Sequence, residues 1–164
     1  MTGTIGYYAL AFAMAVALYG AFVSVVGARK RHWARAAIAF FALSTLAVGV
    51  MEYALLTHDF SVGYVAEVGS RSTPVLITVI SLWAALEGSI LFWLWVLALY
   101  TALCTWLYRR KHRHEIPYIT ATLLGIAAFF LVLLLGPGNP FETVSPVPAD
   151  GPGPNPLLQN HPLM

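Results

Sequence analysis

Cysteine and charge are both scarce. Cys104 is the only thiol, and charged residues fill only 10% of the 164 positions. One thiol allows no internal disulfide, no Cys-x-x-Cys redox pair and no Cys-x-x-Cys-His haem-attachment site. The chain is therefore neither a c-type cytochrome nor a thiol oxidoreductase by itself. A net charge of +2 is too small to suggest a nucleic-acid partner. Phosphate loops, nucleophile and base pairs and metal-ligand spacings are missing as well, so neither catalytic residues nor a metal site can be named from motifs. Lys and Arg do not occur before Arg29 or after Arg113.

Apolar surface is what the chain has in excess: 59% of residues are hydrophobic and the mean hydropathy is +0.75. That composition excludes an ordinary soluble domain and points to an all-α integral membrane protein. Residues 5–26, 36–56, 87–108 and 117–136 each approach the roughly 20 residues that cross a bilayer as a helix. A signal sequence would carry its positive charges ahead of the apolar run. Here they follow it, at Arg29, Lys30, Arg31 and Arg35, so the first span is retained. The stretch from Pro74 to Tyr108 is too long for one upright span. It divides into an interfacial or re-entrant piece over 74–86 and a span from Glu87, with one long tilted helix as the competing reading. Residues 1–136 thus form a four-span module, and 137–164 form a Pro/Gly-rich tail that is extended or ordered by docking.

Eight of the nine basic residues fall after the first and third spans. The positive-inside rule makes those loops cytoplasmic and puts the N-terminus, the loop over 57–73 and the tail on the outer face.

The loop from Asp59 and the segment reaching Trp93 organise the rest. Glu87 lies among Trp83, Trp93 and Trp95, and an acid near hydrocarbon is costly to keep without a use. Two readings stand for it: a polar group that orients a ligand, or a first-turn acid that complements the helix dipole. Glu52, at the outer end of the second span, reads as a residue that snorkels to the interface. Trp83, Phe92, Trp93, Trp95 and Tyr100 read as an aromatic shelf for a planar ligand or as an interfacial belt. His58 and His161 fall on the outer face as solvated loop residues, and His32, His112 and His114 as charge partners or lipid-headgroup contacts at the basic end.

Three blocks carry a family resemblance. Asp59-Phe60-Ser61-Val62 with Tyr64-Val65-Ala66, Leu82-Trp83 with Glu87-Gly88-Ser89 and Trp93, and Asn139-Pro140-Phe141 followed by Pro146, Pro148, Asp150-Gly151 and Asn155-Pro156-Leu157-Leu158-Gln159 resemble the N-terminal part of the CcmF family, the haem lyase component of cytochrome c maturation. Ala84, Ala85, Leu86 and Pro154 depart from the family's pattern. The family's histidine followed by two prolines, its tryptophan-rich haem-handling domain and its further histidine ligands have no counterpart before Met164, which reads as a split or truncated chain.

The resemblance implies haem as cofactor, with its axial histidines supplied from outside this chain. It implies Trp83, Glu87, Gly88, Ser89 and Trp93 as the wall of a haem site, and Asp59, Phe60, Tyr64, Asn155 and Pro156 as partner-binding residues. The implied partners are the remaining part of the lyase, a haem chaperone, apocytochrome c and membrane lipid. The implied location is the bacterial inner membrane, and the chain is not expected to be catalytic alone. The alternative is a non-catalytic four-helix scaffold, or a subunit that binds lipid or quinone.

Overall fold

Hydrocarbon offers no partner to an open backbone, so a chain this apolar must close its own hydrogen bonds, and helices are the local way to do so. The computed structural model describes residues 1–26, 32–112 and 114–154. In chain order the helices are α1 (Thr2–Val26), α2 (His32–Leu56), α3 (Gly63–Val68), α4 (Val75–Ile80), α5 (Leu86–Tyr108) and α6 (Ile116–Leu135). Of these, α1, α2, α5 and α6 are long and apolar enough to cross a membrane. Arg29, Lys30, Arg31, Arg113, Asn155, Pro156 and His161 lie outside the described residues.

The four long helices form a ring in which α1 packs on α2 and α6, and α5 on the same two from the other side. Small residues make the first contacts close. The buried stripe of α1 runs Gly3, Gly6, Ala9, Ala13, Ala17, Gly20 and Ser24, and a Cβ on Gly20 would stand 2.8 Å from that of Ala36. Helices that associate in lipid rely on such close approach, because burying one apolar surface against another gains little there. Two polar links tie the ring: Trp95 Nε1 donates to Thr45 Oγ1 at 3.1 Å, and the Thr105 and Thr120 hydroxyls meet at 3.1 Å.

The first two helices begin earlier than the hydropathy suggests, at Thr2 rather than Ile5 and at His32 rather than Ala36. Arg35 therefore sits in the opening turns of α2 and not in a loop. A long side chain allows this, since its stem can follow the helix while the guanidinium reaches water.

One long helix over 74–108 does not form. After α4 comes a 3₁₀ turn, Ser81–Trp83. Ala85 is then fully extended, at φ −129° and ψ 175°, before α5 starts. The break leaves backbone groups that need partners. Tyr64, from α3, supplies them: its hydroxyl shares its proton between the carbonyls of Ser81 (2.8 Å) and Leu82 (2.9 Å) and accepts the Ala85 N–H at 3.3 Å.

Past α6 the chain turns back over the same end of the bundle. Gly63 N–H donates to Glu142 O at 2.6 Å and Val144 N–H to Ser61 O at 3.1 Å, around an antiparallel bridge between Val62 and Thr143. Further on, Gly153 N–H reaches Gly69 O at 3.0 Å. Phe141 is 3% exposed and seats its ring against Gly6 of α1, where any Cβ would overlap it. The tail up to Pro154 is thus ordered by docking.

Candidate functional site

The docked tail, the loop after α2 and the start of α5 meet in one corner of the molecule. Tyr64 is its hub. Gly88, in the first turn of α5, lies so close that a Cβ there would fall on the Leu82 carbonyl and the Tyr64 hydroxyl. That proximity explains the glycine directly after Glu87. Burial pushes the Tyr64 hydroxyl above the usual tyrosine range, so it stays a neutral donor.

Beside Tyr64 opens a polar cavity of about 190 Å³ lined by Gly63, Glu67, Glu87, Pro137, Asn139, Pro140 and Glu142. Three carboxylates from three segments therefore share it. Glu87 is in the first turn of α5, where the helix dipole favours an anion, and also faces this cavity. Asn139 holds the tail's entry, since its Oδ1 accepts the Phe141 N–H at 3.1 Å. The contributions of Glu67 and Glu142 escaped sequence reasoning, with nearness to the family-like blocks as their only signal. Asn139 was named within the tail's family-like block but given no place in the site.

On another side of the start of α5 is an aromatic cluster centred on Phe92. Its ring lies 5.2 Å from Trp83, 5.9 Å from Trp93 and 6.2 Å from Trp95. Trp95 is partly buried and tied to Thr45 of α2, whereas Trp83 and Trp93 are 44% and 59% exposed. Ser89 Oγ donates to the Trp83 carbonyl at 3.1 Å, fixing the shelf to the helix break.

Asp59 accepts the Ser61 hydroxyl at 2.6 Å and the Ser61 amide at 3.3 Å. Those bonds, the hydroxyl foremost, hold its carboxyl below the usual carboxylate range. Phe60 is buried, with the Arg71 guanidinium 5.5 Å from its ring centre. His58 has its Nε2 3.2 Å from the Ser70 carbonyl. The exposed Asp150 accepts the Arg71 and Gly151 amides, at 3.0 and 2.9 Å, and these bonds lower its pKa.

Glu52 departs from expectation. Its Oε2 is inaccessible and has no hydrogen-bond partner among the described residues, and Glu52 is not among the walls of the cavity that Glu87 lines. The residue as a whole is partly buried, and the segment over α4 and the 3₁₀ turn packs on the same helix.

Haem can be tested against this geometry. No group of three His, Cys, Asp or Glu that could hold a metal occurs among the described residues. The polar cavity, at about 190 Å³, is smaller than the roughly 300–1,000 Å³ of pockets that enclose drug-sized ligands. That cavity is too small to enclose a porphyrin, and beside it the described residues present an open aromatic wall.

No family model matches the chain. Among curated proteins it is 33% identical over 168 residues to the cytochrome c-type biogenesis protein NrfE of Haemophilus influenzae, a match covering 98% of the chain and 26% of that protein. It is 34% identical over 167 residues to the cytochrome c-type biogenesis protein CcmF of Pseudomonas aeruginosa, covering 98% of the chain and 25% of the relative. Among solved structures it superposes on the cytochrome c haem lyase CcmF with a TM-score of 0.76 and 30% identity, over 89% of the chain and 26% of that structure. The chain spans about a quarter of the length of these relatives. Matching their N-terminal part over nearly all of its own length, the chain belongs to the CcmF and NrfE family of cytochrome c-type biogenesis proteins.

Proposed function

We propose that this chain acts in cytochrome c maturation as the N-terminal module of a CcmF-like haem lyase in the bacterial inner membrane. The observation that carries the reading is the convergence of the three family-like blocks on one corner: Ser61 and Gly63 bond the tail, and Tyr64 bonds the break before Glu87. The charge pattern supports an orientation with that corner outside. Asp59, Glu67, Glu142 and Asp150 belong to it, while Arg35, Arg109, Arg110 and Lys111 belong to the opposite end. The segment over α4 then lies along the outer interface.

In this reading Trp83, Phe92 and Trp93, with Gly88 and Ser89 fixing the start of α5, form one wall against which haem is held. Glu87 directs a polar or cationic group at the wall's edge. Asp59, Phe60 and Tyr64 shape the loop that meets the remaining lyase or apocytochrome c, and the family resemblance assigns Asn155 and Pro156 to the same partner. The axial histidines and the bond-forming step belong to other parts of the lyase, so the chain alone holds haem weakly or not at all.

The test is Glu87→Gln in the complete maturation system. Holocytochrome yield should fall while the amount of protein in the membrane stays level. An undiminished yield would move Glu87 to a structural role and favour a scaffold. One observation favours that second reading: Tyr64 and Ser89 spend their hydroxyls on backbone carbonyls of this chain.

A further inference from the structure

A groove of about 540 Å³ runs between α1 and α2 on the outside of the bundle. Thr2 and Ile5 border it on one side, and Ala42, Leu46, Gly49 and Val50 on the other. It belongs to the end of the bundle that carries the docked tail. Gly49 stands seven residues before the last residue of α2, which puts it about 10 Å along that helix from its end.

The packing of this chain gives Gly49 no purpose. In α1, a Cβ on Gly6 would strike Phe141, and one on Gly20 would meet Leu124 and Ala36; at Gly49 nothing lies within 4 Å, and the residue is exposed. Glycine is, after proline, the least favourable residue in a helix interior. What covers the groove decides whether its presence has a use. Acyl chains conform to whatever surface they meet and gain nothing from a missing side chain. A second helix does gain, because a small residue lets the two backbones approach closely. A polar ligand finds little to hold it. Thr45 is also in the wall, but its hydroxyl accepts from Trp95 Nε1 and donates to the Phe41 carbonyl, whereas ligand pockets keep a few polar groups free to fix orientation.

The length of the relatives supplies the occupant. This chain accounts for 26% of the solved haem lyase on which it superposes and for 26% of the Haemophilus influenzae NrfE. Most of such a protein therefore lies outside the four helices described here. A segment of it that reaches a groove set this far into hydrocarbon must satisfy its own backbone, and so must be helical. We propose that the groove seats a membrane-spanning helix of the remaining lyase, with a ridge of large apolar side chains laid between α1 and α2 and the two backbones closest at Gly49. This rests on the reading of the chain as the N-terminal module of such a lyase.

The experiment places the photo-crosslinking residue p-benzoylphenylalanine at position 46, in the complete lyase in its membrane, and maps the adduct by mass spectrometry after digestion. Leu46 is 49% exposed and tolerates the exchange. The adduct should join this position to an apolar segment of the remaining lyase. Gly49→Leu should lower the adduct yield about tenfold by overfilling the contact, while the thermal midpoint of the 164-residue chain in detergent does not fall, since the added side chain starts in open space. Gly49→Ala separates the two effects: the midpoint of the chain should rise and the adduct yield should drop. Adducts only with lipid or with a second copy of this chain, or an undiminished yield in Gly49→Leu, would overturn the proposal and leave the module reading standing. A wild-type chain that associates with no other part of a lyase would overturn both.

Discussion

Tyr64→Phe isolates the interaction that holds the break before α5. The ring stays buried and only the hydroxyl is lost. The Ser81 carbonyl keeps its bond from the Ala84 N–H at 3.1 Å, but the Leu82 carbonyl and the Ala85 N–H lose the partner that Tyr64 gave them. Leu82 is 3% exposed, so water cannot readily replace the hydroxyl there, whereas Ala85 is half-buried and can recover part of its loss. With about 1–3 kcal/mol for each buried group left unpaired, the cost comes to about 2–4 kcal/mol. Reversible unfolding in mixed micelles, followed by circular dichroism, measures it. Tyr53→Phe serves as control, since Tyr53 is 62% exposed and its change should stay within about 0.5 kcal/mol.

The pH dependence gives a second signature of the same contact. Burial raises the folded pKa of Tyr64, so on raising the pH the unfolded chain gives up its proton first. Stability from this group is complete below about pH 10, the ordinary tyrosine value, and declines above it. The Phe variant should lack that component of the decline. A Tyr64→Phe protein within 0.5 kcal/mol of wild type, with an unchanged alkaline limb, would refute the account of the break.

Other outcomes follow from the docked tail and the same corner. Phe141→Ala should cost about 3–5 kcal/mol, and Gly6→Ala should expel the same ring, so protease cleavage between Phe141 and Pro154 should accelerate in both. Asp150→Ala removes the acceptor of the Arg71 and Gly151 amides, and those amides should exchange hydrogen faster than in wild type. Because the folded pKa of Asp150 is depressed, that tether holds above the ordinary aspartate value near 3.9 and loosens as the pH falls through the lower folded value; the Ala variant should show no such transition. Gly88→Ala should destabilise strongly, and combining it with Tyr64→Phe should cost less than the sum, because both changes act on one contact.

The four long helices were legible because length and hydropathy are local properties, and so was the division of the segment before Glu87, which is too long for a single span. The partners were less legible. Nothing adjacent to Phe141 says that its ring is received by Gly6, far away in the chain; only the close approach of the two segments makes the glycine necessary. Glu52 was legible only in part: its place at a helix end suggested an outlet to water, and the residue is partly exposed while its Oε2 is inaccessible. Within the candidate site, Glu87, Gly88 and Trp83 could be named from the cost of a buried acid and from the family-like blocks. Glu67 and Glu142 could not, and Asn139, though part of a family-like block, could not be given a place in the site, since the cavity they share exists only after three segments meet. Arg35 was read as a loop charge because hydropathy marks where hydrocarbon ends and not where a helix does.

The fastening of the tail has a consequence for the order of assembly. Phe141 lies beyond α6, the last of the long helices, yet its receptor is Gly6, near the beginning of α1. The clasp can close only once every helix between them has been inserted and packed. A half-inserted chain has the loop from Asp59 but no strand of tail to pair with it. The corner is therefore whole only on a bundle whose first and last long helices are both in place.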